Sequence, residues 1–306
     1  MKNDIFPHIF KCIHCKKSEL TYTSNREELV CKNCNKRYSI LENVPIFLPE
    51  STESPGLKSE FHKSSGTTFN YIDHYQKDAY NSDYFEKRDP GTEHSELRVR
   101  EYINSKISKN SGLILDVGCG KAWVAEMFCP MGKEVVSMDI SFLNTSKALK
   151  VFPYQSHYAV VADAFNLPFK ENTFDTIVAS EIIEHVHDPA SFISNLIAVL
   201  KPGGKLIVTT PYKEKLQFIL CIHCNNPTPL HAHINSFDEK ILKSLYLGDE
   251  RVKWNYETFM NKIILHMRTH VILKYSPFWF WKLIDRLVNV AFNVPARILA
   301  VWEKKP

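Results

Sequence analysis

Five short, mainly apolar runs recur along the middle of the chain, and acidic residues or glycine lie at the ends of the first four. They span residues 113–117, 133–138, 158–162, 174–179 and 205–210. Runs of this length and composition are typical of strands buried in a parallel sheet. The segment after Asp188-Pro189 has a helix cap, a first-turn proline and apolar residues at helical spacing. The pattern therefore predicts an α/β fold with an open parallel sheet.

The first predicted strand leads directly into a glycine-containing turn. Asp116 lies at its end, and Gly118 and Gly120 follow. Glycine lets the backbone approach a ligand closely and adopt a positive φ. The spacing departs from the dinucleotide-phosphate fingerprint, because Trp123 occupies the position of the third glycine. An indole there would block a pyrophosphate from the next helix, so the turn favours a nucleoside without one.

Acidic residues also follow the next three predicted strands. Asp139 comes 21 residues after Gly118, where a carboxylate can accept hydrogen bonds from ribose hydroxyls. The third strand ends in Asp163-Ala164, and the fourth ends in the segment 180–185. Ligands of open parallel sheets bind at the carboxyl ends of the strands. The sequence therefore predicts one binding site at this edge of the sheet.

Five segments around these positions resemble class I S-adenosylmethionine-dependent methyltransferases, in particular the group that includes the ubiquinone and menaquinone methyltransferases. In order they read LDVGCGKA, VVSMDIS, VVADAFNLPF, FDTIVASEIIEHV and LKPGGKLIVTTP, within about residues 95–212. The resemblance implies a Rossmann-like seven-stranded sheet and S-adenosylmethionine as cofactor. Ala122 departs from it, because many members have glycine there; alanine is small enough for binding to survive.

The resemblance also implies roles for individual residues. Those expected around the cofactor are Asp116, Gly118 and Gly120 for methionine, Asp139 for the ribose, and Asp163 and Ala164 for adenine. Glu181 is expected to line the pocket for methyl transfer. His185 is the candidate general base if the acceptor is a hydroxyl. The alternative is that His185 satisfies backbone groups beneath the site.

Four cysteines near the N-terminus have the spacing of a zinc ribbon. Cys12 and Cys15 form one pair, and Cys31 and Cys34 form a second pair after 15 intervening residues. A disulfide framework is the alternative, but residues 1–11 lack the apolar core of a secretory leader, so we expect a cytoplasmic protein and a metal. The segment resembles zinc-ribbon leaders fused to many bacterial methyltransferases, and also the small activator protein of several RNA and protein methyltransferases. Four protein ligands leave no open position, which implies structural zinc.

A second group of possible metal ligands lies after the fifth predicted strand. Cys221, Cys224, His231 and His233 could form a second zinc site of the Cys2His2 type. The alternatives are a surface loop with no metal, or histidines that contact substrate near the cofactor cleft. The sequence leaves all three open.

Composition and turn signals suggest how the chain is divided. The chain has 306 residues, of which 44% are hydrophobic, enough for one large core and an appendage. Residues 1–48 are predicted to be the ribbon, 49–60 a polar linker, and 61–306 the methyltransferase domain. Within that domain, residues 61–110 predict one or two helices. The Cys/His-rich insert covers about 213–240.

A dense aromatic segment at about 277–293 predicts an amphipathic helix near the C-terminus. Its polar residues, Lys282, Asp285, Arg286, Asn289 and Asn293, fall on one narrow stripe. The segment is too charged to span a bilayer. It could lie in a membrane interface, or it could pack over the sheet edge before a final strand at 296–302. Residues 212–306 carry 14 basic and 8 acidic residues, which suits an anionic surface or a solvated face.

Three functions remain open at this point. The favoured one is methyl transfer to a small-molecule or lipid-linked acceptor by a cytoplasmic protein, with peripheral contact to the membrane as an open option. The first alternative is a ribosomal or transfer RNA methyltransferase that contacts RNA through basic residues beside the cysteines. These are Lys11, Lys16, Lys17, Lys32, Lys36 and Arg37. The second alternative is a non-catalytic scaffold with a zinc ribbon and a methyltransferase fold.

Overall fold

A seven-stranded sheet forms the centre of the computed structural model, which describes residues 6–17, 19–48, 71–220, 222, 225–246 and 250–306. The predicted linker at 49–60 lies outside the described residues, as does 61–70. The elements before the large sheet are α1 (Phe6–Ile9), β1 (Leu20–Tyr22), β2 (Glu28–Cys31), β3 (Arg37–Leu41), β4 (Val44–Pro45), α2 (Tyr71–Asn81) and α3 (Pro90–Asn104). Between residues 71 and 110, the described part of the segment expected to hold one or two helices, the helices are α2 and α3.

The large sheet begins at the first predicted strand. Its first part comprises β5 (Leu113–Val117), α4 (Trp123–Phe128), β6 (Glu134–Asp139), α5 (Phe142–Val151), β7 (His157–Val161), β8 (Phe174–Ser180), α6 (Pro189–Val199) and β9 (Leu200–Pro211). The C-terminal part comprises β10 (Phe218–Leu220), β11 (Pro227–Pro229), α7 (Glu239–Ser244), β12 (Val252–Asn261), α8 (Lys262–His266), α9 (His270–Leu273), α10 (Phe278–Ala291) and β13 (Pro295–Lys304). Short 3-10 turns cover 129–131, 183–185 and 230–232.

The strand order confirms the predicted Rossmann-like sheet. It is β12-β13-β9-β8-β5-β6-β7, with β5 to β9 parallel and β13 antiparallel to both of its neighbours. Every residue of β5 and β7 is buried, as expected for strands covered on both faces. The fifth strand starts at Leu200, five residues earlier than predicted, because Pro202, Gly203 and Gly204 continue the strand through an irregular register opposite β8.

The cysteine-rich segment folds as a small antiparallel sheet that packs directly on the large one. Strands β1 to β4 pair in sequence order, and Ile46 extends them to the outer edge of β7 through a parallel bridge with Val161. On the other side, Phe10 pairs with Phe169. Phe10, Phe47 and Cys12 are buried in the same hydrophobic cluster as the core of the large sheet. The two parts therefore share one core.

Helix α10 packs with its polar stripe towards the protein. Asp285 is buried, and its carboxylate accepts hydrogen bonds from the backbone N–H groups of Met260 (2.9 Å) and Asn261 (2.7 Å) in β12. Lys282 and Arg286 both contact Glu257 of the same strand, at 3.0 and 2.8 Å. Trp281 of this helix is buried in the core, whereas the apolar side chains of Trp279, Leu283, Leu287 and Val290 are exposed.

Glu257 is the charged centre of this packing, which makes its contribution dependent on pH. Burial raises the pKa of Glu257, but hydrogen bonds from Lys106, Lys282 and Arg286 outweigh burial and lower the pKa to about 2. A carboxyl group whose folded pKa is depressed stabilises the protein above its unfolded pKa, near 4.3. That stability is lost as the pH falls from there towards 2.

We expect Glu257→Gln to lower the free energy of unfolding at pH 7 by about 1–3 kcal/mol, because it leaves three cations without their carboxylate. Urea denaturation of both proteins between pH 7 and pH 3 measures this. The difference should shrink steadily below pH 4.5. Glu126→Gln is the control, because Glu126 is exposed and lies 3.8 Å from its partner Arg100. A difference of constant size across the pH range would show that packing, not charge, is what Glu257 provides.

Candidate functional site

A large cleft opens at the carboxyl ends of the parallel strands, where the sequence predicted a binding site. Its volume is about 1630 Å³. Pockets for small ligands are typically about 300–1,000 Å³, so this cleft has room for a cofactor and an acceptor together. All the residues assigned to the cofactor line it: Asp116, Gly118, Gly120, Asp139, Asp163, Ala164 and Glu181. His185, His231 and His233 line it as well.

The turn after β5 is held in a shape that other residues would disturb. Gly118 has a φ of +63°, and a Cβ there would lie 2.3 Å from Cδ1 of Ile182. Ala122 also adopts the left-handed conformation, with φ of 54°, which explains why glycine is common at this position in the family. An alanine there costs about 1–2 kcal/mol of backbone strain. Because Gly118 and Gly120 have no side chains, the side of the turn that faces the cleft is open to a ligand.

Asp116 is a buried acid at the end of β5, on the floor of the glycine turn. Its side chain is 2% exposed, and Oδ2 has no hydrogen-bond partner among the described residues. Burial, reinforced by the nearby charge of Asp139, raises the pKa of Asp116 well above its ordinary value. A buried acceptor that lacks a partner is costly, and a cationic ligand group in the cleft would remove that cost. The amino group of a bound methionine moiety has the required charge and donors.

Asp139 lies across the cleft at the end of β6 and is fixed by the backbone. Gly120 N–H donates to its Oδ2 (3.2 Å) and Ser141 N–H donates to its Oδ1 (2.9 Å). Burial raises the pKa of Asp139. An acid held in place by the glycine turn can accept further bonds from the hydroxyls of a ribose.

Asp163, the residue predicted to contact adenine, has a hydrogen-bond partner that the sequence analysis did not identify. Tyr71, at the start of α2, donates from its hydroxyl to Oδ2 of Asp163 (2.6 Å). The tyrosine ring contacts those of Phe165 and His187, with centroids 6.0 and 5.3 Å apart. Ala164 accepts a bond at its carbonyl from Asn195 (3.2 Å). The leader helix α2 therefore closes over this end of the cleft. The only sign of this contact in the sequence was the high tyrosine and histidine content of the segment that forms α2.

Glu181 and His185 lie at the opposite end, beyond β8. Glu181 has a φ of 57°, and its carboxylate pairs with Arg297 of β13 at 2.8 Å, a partner not identified from the sequence. The His185 Nδ1–H donates to the carbonyl of Ala232 (3.2 Å). Burial, with a smaller contribution from His233, lowers the pKa of His185 to about 4. His185 is therefore neutral at pH 7, and its contact with a backbone carbonyl matches the alternative stated for it.

The second group of predicted metal ligands is only partly described. Cys221 and Cys224 lie outside the described residues. His231 and His233 are 5.9 Å apart between ring centroids. The ring of His233 also lies 4.8 Å from that of His185. Its Nδ1–H donates to Glu214 (2.6 Å).

The four N-terminal cysteines come together as the spacing predicts. Cys12, Cys15, Cys31 and Cys34 place their sulfur atoms within 4.8 Å of one another. The closest pairs are Cys12 with Cys34 at 3.6 Å and Cys15 with Cys31 at 3.5 Å. A tetrahedron of thiolates about 2.3 Å from zinc has sulfur atoms about 3.8 Å apart, whereas a disulfide bond needs about 2.05 Å. The arrangement fits a zinc ion.

Two equivalent turns produce this arrangement. In the first, Lys16 N–H donates to the carbonyl of Cys12 (2.9 Å), and in the second, Asn35 N–H donates to that of Cys31 (2.8 Å). Lys16 and Asn35 both have a positive φ, near 60°. Because the two turns have the same conformation and face each other, the sulfur atoms of the two cysteine pairs lie close together.

Comparison with known proteins agrees with this geometry. Residues 115–208 match the family model described as a methyltransferase domain. The chain is 29% identical over 201 residues to the human mitochondrial ubiquinone biosynthesis O-methyltransferase, covering 60% of this chain and 50% of that protein. It is 35% identical over 115 residues to the Bradyrhizobium enzyme of the same name, covering 37% and 45%. The chain thus spans about half the length of the curated relatives it matches.

A solved structure gives the same fold. It is a chain from the Haloferax volcanii complex between the Trm112 methyltransferase activator and a methyltransferase, with a TM-score of 0.50 and 16% identity. The match covers 76% of this chain and 97% of that one. Together, the family match over residues 115–208 and the seven-stranded sheet show that this chain contains a methyltransferase domain with a Rossmann-like fold.

Proposed function

We propose that this chain transfers the methyl group of S-adenosylmethionine to a small-molecule or lipid-linked acceptor. The observation that carries the proposal is Asp116, a buried acid whose Oδ2 has no partner in the part of the chain that the structure describes, beside a glycine turn that lines the cleft. Asp139 and Asp163 border the same cleft at the ends of the next two strands. A cofactor with an ammonium group, a ribose and an adenine base matches this order of groups.

Each residue has a defined task in this proposal. S-adenosylmethionine supplies a methyl group that its sulfonium already activates. Asp116 would bind the amino group, the backbone at Gly118 and Gly120 would leave room for the methionine chain, and Asp139 would accept bonds from the ribose. Asp163 and Ala164 would hold the base beneath Tyr71. Because the methyl group is already activated, the protein's main work is to align the acceptor behind it and exclude water.

The acceptor would enter from the side of Glu181 and His185. The general-base role predicted for His185 stays a prediction. Its Nδ1 is taken by the carbonyl of Ala232, which leaves Nε2 as the nitrogen available to the cleft. Glu181 is oriented by Arg297 and borders the same space. Both residues are placed to contact an acceptor rather than the cofactor's adenine end.

The outward face of α10 supports a lipid-linked acceptor. Trp279 is 68% exposed and Val290 is 86% exposed, and Leu283 and Leu287 are exposed between them. Val271 and Ile272 of α9 and Tyr275 just after it are also exposed. We call these seven residues the apolar face. Large apolar side chains exposed in such number within one segment indicate an interaction site.

Charge around the apolar face favours an anionic bilayer as its occupant. Between residues 262 and 294 the only acidic residue is Asp285, and it is buried. Lys262, Arg268 and Lys274 of the same segment are exposed. Aromatic rings beside lysine and arginine are typical of helices that lie flat in a membrane interface. Among the described residues, no helix is long and apolar enough to cross a bilayer.

We expect the full chain to bind vesicles that contain about a quarter phosphatidylglycerol in phosphatidylcholine. The double substitution Trp279→Ser and Leu287→Ser should weaken binding at least tenfold, because each removes an apolar side chain worth about 1.5–3 kcal/mol when buried. Met131→Ser is the matched control, because Met131 is also exposed but lies outside the apolar face. Co-sedimentation measures all three proteins. Equal binding by the double variant and the wild type would contradict this use of the face.

We also infer a structural zinc ion bound by Cys12, Cys15, Cys31 and Cys34. Its support is the tetrahedral spacing of the four sulfur atoms and the buried position of Cys12 and Cys31. Four protein ligands leave no position for a substrate. The RNA alternative gains no comparable support, because Lys16 binds Asn166 at 2.5 Å and Arg37 pairs with Glu28 at 2.5 Å.

Transfer of labelled methyl groups tests the proposed function. Full-length protein is incubated with S-adenosylmethionine labelled in its methyl group and with polyprenylated or simple phenols, and the organic phase is counted. Label in that phase, lost with Asp139→Ala, supports the proposal. Label only in added ribosomal or transfer RNA would overturn the choice of acceptor.

A further inference from the structure

Three metal-ligating side chains meet at the acceptor end of the cleft, apart from the ribbon. Glu184 and His185 lie on the short turn after β8, and His233 follows the turn at 230–232. One ligand atom from each residue lies within 4.8 Å of the others. We propose that Glu184, His185 and His233 bind a divalent transition-metal ion of the zinc type.

Both histidines are oriented as metal ligands usually are. The Nδ1–H of His185 donates to the carbonyl of Ala232 (3.2 Å), and the Nδ1–H of His233 donates to Oε2 of Glu214 (2.6 Å). Metal-bound histidines characteristically donate their other ring nitrogen to a carbonyl or a carboxylate, which fixes the ring. Each ring therefore has Nε2 left to bind a metal ion.

Glu184 supplies the independent observation. Its side chain is 1% exposed, Oε2 accepts a bond from the hydroxyl of Thr210 (2.9 Å), and Oε1 has no partner among the described residues. Its backbone carbonyl accepts from the N–H groups of Ile234 and Asn235, which ties the turn of Glu184 to the segment of His233. A buried oxygen that lacks a hydrogen-bond partner destabilises the folded protein. A cation between Glu184 and the two histidines removes that cost.

The donor set indicates the type of ion and its purpose. Two imidazoles and one carboxylate are the ligands of catalytic zinc sites, which keep a further position open for water or substrate. His185 and His233 line the cleft, so that position faces the acceptor. His233 was predicted to bind metal with Cys221, Cys224 and His231; the present proposal places it with Glu184 and His185 instead.

The use of the ion rests on the proposed function. Coordination of an acceptor hydroxyl lowers the pKa of that hydroxyl, and its proton passes to water in the open cleft. The oxygen lone pair then forms the O–C bond to the methyl carbon. The C–S bond breaks at the same time, and its electron pair stays on sulfur, which becomes a neutral thioether. His185 is in that case a metal ligand and not the base.

Counting zinc per chain tests the site without any cofactor or acceptor. The full chain is reconstituted with excess Zn²⁺, desalted and analysed by elemental mass spectrometry. We expect two ions in the wild type, one in Cys31→Ser and one in His233→Gln. His231→Gln and the pair Cys221→Ser with Cys224→Ser should keep two, because those residues lie outside the proposed ligand set. His185→Gln, with its melting curve, is a second variant in case His233→Gln does not fold.

The possible results separate this site from its alternatives. Two ions in folded His233→Gln and folded His185→Gln would overturn the proposal. Loss of the second ion in His231→Gln or in the cysteine pair would assign it to the originally predicted cluster and overturn it as well. Two ions in a wild-type protein that transfers no methyl group would leave the metal site intact and refute the proposed function. The two proposals therefore fail separately.

Discussion

Replacing Asp116 by asparagine should weaken the binding of S-adenosylmethionine about 100-fold without lowering the stability of the cofactor-free protein. The carboxylate is buried, its Oδ2 has no hydrogen-bond partner among the residues described, and burial with the nearby charge of Asp139 raises its pKa well above the ordinary value. An acid with a raised folded pKa destabilises the protein at pH 7, and a neutral amide removes that cost. Loss of a charged bond to the ligand's amino group costs about 3 kcal/mol, or roughly 100-fold in affinity.

Asp175→Asn is the matched control for this substitution. Asp175 lies at the opposite end of the same sheet, where its carboxylate accepts from the N–H groups of Gly112 (3.1 Å) and Leu113 (2.8 Å) and pairs with Lys201. We expect this change to lower the free energy of unfolding and leave cofactor binding unchanged. Urea denaturation and calorimetric titration of both variants measure the two effects. A loss of stability in Asp116→Asn with normal binding would contradict the assignment of Asp116.

Removing zinc from the ribbon should destabilise the whole chain, not the ribbon alone. Cys12 and Cys31 are buried in the same cluster as the core of the large sheet, with Phe10 and Phe47 between them and β7. Loss of the ion turns four packed thiolates into groups with no common partner. We expect Cys31→Ser to lower the free energy of unfolding by about 3 kcal/mol or more, a fall in melting temperature of roughly 6–12 °C.

The control for the ribbon is Cys129→Ser. Cys129 is also buried, but it lies in the 3-10 turn after α4. This variant should keep its full zinc content, and any loss of stability should come without loss of metal. Calorimetric melting with zinc analysis distinguishes the two. A Cys31→Ser protein that melts like the wild type, or one that retains the ribbon zinc, would refute a structural role for the ion.

The sheet and the cofactor side of the cleft were predictable because both depend on local sequence. Buried parallel strands need apolar runs, and Asp116, Asp139 and Asp163 follow those runs at the edge where ligands bind. One residue, Trp123 at the place of the third glycine, was enough to argue against a ligand that contains a pyrophosphate. The left-handed conformation of Ala122 was not visible, because an alanine gives no local indication of a positive φ.

The features that were missed depend on contacts between distant segments. Two pairs of contacting residues are far apart in the sequence: 92 residues separate Tyr71 from Asp163, and 116 separate Glu181 from Arg297. No rule based on sequence spacing links residues so distant. The exposed side chains of α10 point outward because its polar residues bind β12. Lys282 pairs with Glu257, and Asp285 accepts a hydrogen bond from the backbone of Met260. The meeting of Glu184, His185 and His233 likewise requires the turn at 230–232 to fold back over β8.

Calorimetric titration of the purified full chain with S-adenosylmethionine and S-adenosylhomocysteine tests the central proposal most directly. NAD serves as the ligand control and Asp139→Ala as the protein control. The expected result is one molecule of either sulfur compound bound per chain at micromolar concentration, no binding of NAD, and loss of binding in the variant. Absence of binding to both compounds by the folded wild type would contradict the proposed function and favour a non-catalytic scaffold.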